Sequence, residues 1–237
     1  MRFETVKEFC IGRGIAYGPE QEELFEKYYE MLIDRNRVMN LTAITERCEV
    51  EEKHFLDSIS LADAADLSGD LSLIDVGTGA GFPGLPLKIL FPNLNIVLLD
   101  SLLKRVDFLN EVIGELGLSG IRGIHCRAEE AARQGEYRER FDLCVSRAVA
   151  ALPVLAEYCL PFVKPGGQFI AFKSGKAEEE AAAAKNAFDV LGGALREIRS
   201  FSLGKTELQR SFIIVDKTAA APEKYPRAAG KVRKKPL

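Results

Sequence analysis

The chain has 237 residues, 47% of them hydrophobic, with five cysteines, two histidines and a formal net charge of -3, a composition that supports a real core and excludes fibrous, disordered and disulfide-stapled classes. With no Cys-x-x-Cys pair, no metal is expected; with no apolar run near the roughly 20 residues that span a bilayer and no secretory pattern in MRFETVKEFC, cytoplasmic residence without membrane association is the expectation. The charge is uneven: residues 217–237 carry seven basic groups against one acid, whereas the other 216 residues hold 25 basic and 34 acidic groups, so a basic tail on an acidic body points to an anionic partner, nucleic acid first.

Residues 1–66 read as a helical extension. From Pro19 to Arg37, Leu24, Tyr28, Met31 and Leu32 fall on one helical face, with Pro19 in the first turn. After a break at Asn36–Thr42, a second helix is expected from about Glu49 to Ala65, with Phe55, Leu56, Ile59 and Ala62 inward and Lys53, His54 and Asp57 on the other face. His54 and Asp57 are three apart and can share that face, as an acid-base pair or as a local hydrogen bond.

From Leu71 the chain alternates strands and helices, the signature of a parallel sheet. Strands are expected at Leu71–Val76, Asn95–Asp100, Ile121–Arg127, Phe141–Val145 and Gln168–Phe172, with a terminal pair at Leu195–Phe201 and Ser211–Asp216. One helix is expected over Ala177–Leu191. The sum is an α/β fold, a mostly parallel seven-stranded sheet with helices on both faces. A Rossmann-like domain thus covers 67–217, and the basic tail, 218–237, begins in a linker-like Ala/Pro run.

The first strand leads into Asp75-Val-Gly77-Thr-Gly79-Ala-Gly81. Glycines here allow a tight turn and close approach of the backbone to a ligand, ahead of a helix N-terminus. The run resembles motif I of S-adenosylmethionine (SAM)-dependent methyltransferases. A dinucleotide fingerprint would need a small residue where Phe82 stands, and no Gly-Lys-Ser/Thr follows, which excludes a phosphate-binding loop. Asp100 ends the second strand, where a carboxylate accepts ribose hydroxyls. Arg127-Ala128-Glu129 ends the third and Ser146-Arg147 the fourth. An NAD-dependent dehydrogenase, an RNA-binding factor without catalysis, and a methyltransferase for another acceptor stay open at this point.

The segments NLTAI, HFLDSI, LIDVGTGAGFPGLPL, LLDSLLKRVDFL, RAEE and SRAVA, in this order and spacing, resemble the bacterial 16S rRNA (guanine-N7) methyltransferase family, also known as glucose-inhibited division protein B. The resemblance runs from about Leu24 to Asp216. It implies a Rossmann-like fold, SAM as methyl donor, N7 of guanine 527 in 16S rRNA as acceptor, and 16S rRNA or the small ribosomal subunit as partner, with the enzyme a monomer. Gly77, Phe82, Ala128, Glu129 and Arg147 match the family's cofactor positions, joined by Asp75, Gly79, Asp100 and Ser101 at the same strand ends. Asn40, His54, Asp57 and Ser146 are the candidates for positioning the base. Lys104, Arg105, Lys173, Arg227, Lys231, Arg233, Lys234 and Lys235 are the candidates for rRNA phosphates. On this reading the tail serves RNA and leaves SAM affinity alone.

Overall fold

Along β1 (Ser72–Val76) and β2 (Asn95–Asp100), successive apolar side chains go to opposite faces, as a pleated strand requires. Leu73, Ile96 and Leu98 enter one buried cluster, and Ile74, Val97 and Leu99 enter the other. A sheet buried on both faces follows. The computed structural model describes residues 3–204 and 208–237. It adds β3 (Ile121–His125), β4 (Phe141–Arg147), β5 (Val163–Lys173), β6 (Gly193–Ser202) and β7 (Gln209–Lys217) in the order β3-β2-β1-β4-β5-β7-β6.

β1 to β5 pair in parallel, and β7 is antiparallel to both β5 and β6. The order reverses between β1 and β4, so a crevice opens beyond their carboxyl ends. β7 has the opposite polarity, with Ser211 paired to Lys173. The start of β7 therefore reaches the same rim as the end of β5.

The N-terminal helices α1 (Glu4–Gly12) and α2 (Pro19–Met39) bury Val6, Phe25, Tyr28 and Leu32 in the cluster that holds Leu73. The second expected helix is shorter and less regular than Glu49–Ala65. It runs as an α turn Arg47–Val50, a π-helical turn Glu51–Leu56, an α turn Asp57–Ile59 and a 3-10 turn Ser60–Asp63. In the π turn the Asp57 N–H donates to the Glu52 and His54 carbonyls and passes over the Lys53 carbonyl between them.

Two further expectations are corrected. The helix over Ala177–Leu191 is interrupted at Ala184, giving Ala177–Ala183 and Lys185–Leu191. The third strand stops at His125, and Arg127 instead caps a short helix, Ala128–Ala131.

The linker-like run after Lys217 is laid along the body. Arg138 donates to the carbonyls of Ala221 and Tyr225, each at 2.8 Å, and Arg133 donates to Pro226 at 2.7 Å. Arg227 grips both oxygens of Glu157, whose side chain is fully buried. Val232, on the terminal helix Ala229–Lys234, is buried as well. These anchors lie 70 or more positions away from the residues they hold, so local composition carries no sign of them.

Candidate active site at the switch point

The glycine loop is set from beneath by Asp75. Its Oδ2 accepts the Thr78 hydroxyl at 2.6 Å and the Gly84 N–H at 2.9 Å, which folds Thr78–Gly84 back over the end of β1. Burial pushes the Asp75 carboxyl up to about 6, against these hydrogen bonds. Asp75 is wholly buried and shapes the loop from within. From the helical side, the buried Tyr28 hydroxyl donates to the Ala80 carbonyl at 2.7 Å.

Gly77 and Gly79 have φ of 73° and 64°, where a side chain is strained. A Cβ on Gly77 would stand 2.6 Å from Val149 Cγ2, whereas one on Gly79 would enter open space. The Gly79 N–H donates to Asp100 Oδ2 at 3.0 Å, and Asp100 Oδ1 accepts from the Leu102 N–H at 2.9 Å.

Next to this loop is a narrow cavity of about 80 Å³ lined by Gly77, Asp100, Ser101, Ala128, Glu129 and Tyr158, among others. Ala128 and Glu129 open a helix with their N–H groups outside its ladder. The Tyr158 hydroxyl is buried without a hydrogen-bond partner. A donor and acceptor set of this kind fits the adenosine of a nucleoside cofactor.

Val149 also lines this narrow cavity, and the residues just before it border a wider one of about 400 Å³, lined by Lys53, His54, Asp57, Arg147, Lys173 and Arg210, among others. Arg147 organises it. Its Nη1 donates to Asp57 Oδ2 at 2.7 Å and to the Lys53 carbonyl at 3.1 Å, while its guanidinium lies 5.1 Å over the Phe82 ring. Asp57 Oδ1 accepts from Arg210 Nε at 3.0 Å. One buried carboxylate thus holds two arginines from different strands.

His54 stacks on Phe82, with ring centroids 4.5 Å apart and planes 20° from parallel. Its Nδ1 is 3.1 Å from the Lys53 carbonyl and its Nε2 is 2.8 Å from the Thr42 hydroxyl. A proton on Nδ1 satisfies both contacts, with Thr42 donating to Nε2. Burial, then the neighbouring Arg147 charge, lowers the imidazole to about 3. It is neutral at physiological pH. Thr42 is itself fixed by Asn36, whose side-chain amide pairs with the Thr42 backbone through two contacts of 2.9 Å.

The remaining expected residues have definite places. Ser146 is buried and donates to the Val76 carbonyl at 2.8 Å, closing the β1–β4 seam. Asn40 stands exposed at the end of α2 with φ of 50°. Phe82 is buried beneath His54. Among the proposed phosphate contacts, Arg105 reaches Asp100 at 3.3 Å, Lys173 pairs with Glu180 at 2.6 Å, and Arg227 is committed to Glu157. Lys104, Lys231, Lys234 and Lys235 are exposed, and Arg233 lines the narrow cavity. Sequence reasoning missed Arg210, the Lys53 carbonyl and the structural use of Thr42. The polarity of β7 was the one signal for Arg210.

Among the described residues, no cluster of three or more His, Cys, Asp or Glu could hold a metal, and no helix is long and apolar enough to cross a membrane.

Solved structures with the same fold include TrmN from Thermus thermophilus, at 19% identity and a TM-score of 0.53 over 70% of this chain and 53% of that one. The YcgJ protein from Bacillus subtilis matches at 12% identity and a TM-score of 0.54, over 70% of this chain and 100% of that one. Curated relatives are far more similar. The ribosomal RNA small subunit methyltransferase G of Lachnoclostridium phytofermentans is 53% identical over 94% of this chain and 93% of its own length. That of Pelotomaculum thermopropionicum is 48% identical over 99% and 98%. Residues 21–211 match the family described as GidB, rRNA small subunit methyltransferase G. With the methyltransferase strand order, the glycine loop and this full-length similarity together, the chain belongs to the rRNA small subunit methyltransferase G family.

Proposed function

We propose that this chain transfers the methyl group of S-adenosylmethionine to N7 of guanine 527 in 16S rRNA, acting in the cytoplasm on the rRNA or the small ribosomal subunit. The observation that carries the reading is the pair of cavities bordered by residues 147–149, one lined by Gly77, Asp100, Ser101, Ala128 and Glu129 and the other rich in arginine and lysine. Membership of the rRNA methyltransferase family supports the acceptor class, and the motif resemblance supports the atom.

S-adenosylmethionine, when bound, supplies an activated methyl group on a positively charged sulfur. Gly77 and Gly79 allow close backbone approach, Asp100 and Ser101 take the ribose, and Ala128 and Glu129 read the adenine edge. Guanine N7 has an in-plane lone pair and no proton, so no side chain has to act as a base. The residues at hand agree with that requirement: His54 is neutral, and both Asp57 oxygens are occupied by arginines. The work of the site is alignment and exclusion of water.

The purine becomes more positive as the methyl arrives. Unpaired cations beside it would oppose the reaction. Asp57 offsets one of the Arg147 and Arg210 charges, and Glu180 offsets Lys173. The cavity therefore keeps enough positive charge to hold a phosphate without surrounding the base with free cations. Arg210 holds the acceptor's backbone, Arg147 at the border of the two cavities keeps the cofactor role its motif position implies, and the His54–Phe82 stack offers a flat, uncharged wall to the base. Ser146 keeps β4 and β1 in register, and Asn40, exposed at the end of α2, is a candidate for positioning the base. Exposed Lys104, Lys231, Lys234 and Lys235 contribute salt-sensitive phosphate attraction.

The test is transfer of labelled methyl to small subunits, and to free 16S rRNA, from cells lacking this protein. Cleavage at N7-methylguanine maps the position. Label at guanine 527 alone is the expected result, and label at another base or atom overturns the assignment.

A further inference from the structure

The tail is built into the body at the place where it matters for the narrow cavity. The helix Leu152–Cys159 supplies both Glu157, which holds Arg227, and Tyr158, which lines the cavity. Arg227 also donates to the Lys235 carbonyl at 3.0 Å, closing the turn around the terminal helix. Burial of Val232 then fixes that helix face, and the next residue, Arg233, stands on the cavity wall with Asp100, Glu129 and Tyr158.

The two acids in that wall already have arginine partners: Arg105 is on Asp100 and Arg127 is on Glu129. Among the described residues, no carboxylate pairs with Arg233. Its planar guanidinium is spare, and the Tyr158 hydroxyl in the same cavity is also without a partner. A spare planar cation lining a cavity beside the glycine loop has a natural use, because a guanidinium stacks on aromatic faces.

We propose that the helix Ala229–Lys234 is a wall of the methyl-donor site and that Arg233 is a cofactor-binding residue lying against the adenosine half. The proposal rests on reading the narrow cavity as the S-adenosylmethionine site. It changes the role of the tail: residues 227–235 complete the cofactor pocket in addition to facing RNA with their lysines.

The experiment is calorimetric titration of the full-length chain and its Arg233→Ala and Arg233→Lys variants with S-adenosylhomocysteine and with 5′-methylthioadenosine, which lacks the amino-acid end. Because Arg233 is exposed, neither variant disturbs the core. Arg233→Ala is expected to weaken both ligands by about tenfold, and Arg233→Lys to recover only part of the loss. Small-subunit binding measured without cofactor is expected to stay unchanged. Unchanged affinity for S-adenosylhomocysteine alongside weakened subunit binding would make Arg233 an RNA contact and overturn the proposal. Loss for S-adenosylhomocysteine without loss for methylthioadenosine would overturn the adenosine assignment. A wild-type chain that binds neither ligand would overturn the cofactor reading itself, a result distinct from equal binding by wild type and variant.

Discussion

The Asp57 carboxylate and the Arg147 guanidinium, 90 positions apart in the chain, meet at 2.7 Å at the junction of the helical extension and the sheet. Their side chains are only 4% and 14% exposed, so removing Asp57 leaves Arg147 charged, desolvated and without its carboxylate. Asp57→Ala is expected to cost about 3 kcal/mol of stability, read by chemical denaturation. In that background, adding Arg210→Ala should cost much less than it does in the wild type. Equal costs in the two backgrounds would mean that Asp57 and Arg210 are not coupled.

His54 gives a pH dependence of known sign. Its folded-state value of about 3 lies below the ordinary 6.5, so between those pH values the unfolded chain binds more protons than the folded one. The corresponding stability is present above pH 6.5 and is lost as pH falls toward 3. His54→Asn should remove that component. The stability difference between wild type and variant should shrink, on the order of 3 kcal/mol, as pH is lowered through this window. A difference that is flat with pH would show that the imidazole is already charged in the folded protein.

The two loop glycines separate folding from ligand binding. Gly77→Ala meets Val149 and a positive φ together, and should lower the melting temperature as well as SAM affinity. Gly79→Ala meets only backbone strain, about 1 kcal/mol. Its Cβ points into open space, so SAM affinity should fall more than tenfold while the melting temperature moves by only a few degrees. Retained affinity in Gly79→Ala would place the cofactor away from this part of the loop.

Arg227→Ala strands a fully buried Glu157. A loss of about 3 kcal/mol is expected, and limited proteolysis should gain a cut within 218–237. Protection equal to that of wild type would mean that the Arg138 and Arg133 contacts hold the tail without Arg227.

Periodicity and glycine spacing made the fold and the glycine-loop side of the candidate site legible. Asp75, Gly77, Gly79 and Asp100 are close in sequence or at strand ends, where a short-range pattern implies a position in space. Helical spacing brought His54 and Asp57 to one cavity, but not into the expected pair: His54 bonds to Thr42, and Asp57 to Arg147 and Arg210. Arg147 could not be read as their neighbour, because it reaches them only through the topology. Arg210 was hidden for a related reason. It is near the beginning of its strand, and only the antiparallel setting of β7 brings a strand's beginning to this rim. The tail misled for the opposite reason: its local composition is that of a linker, whereas its partners Arg133, Arg138 and Glu157 are remote.

The position of β7 between β5 and β6 also governs when the enzyme becomes competent. Synthesis delivers the chain from its N-terminus, so the glycine loop, Asp57 and Arg147 all emerge before residue 209. Until β7 follows, β5 has no neighbour on that side and Asp57 has only one of its two arginines. A nascent polypeptide can thus order its glycine loop early, but the cavity that Arg210 lines waits for about the final tenth of translation.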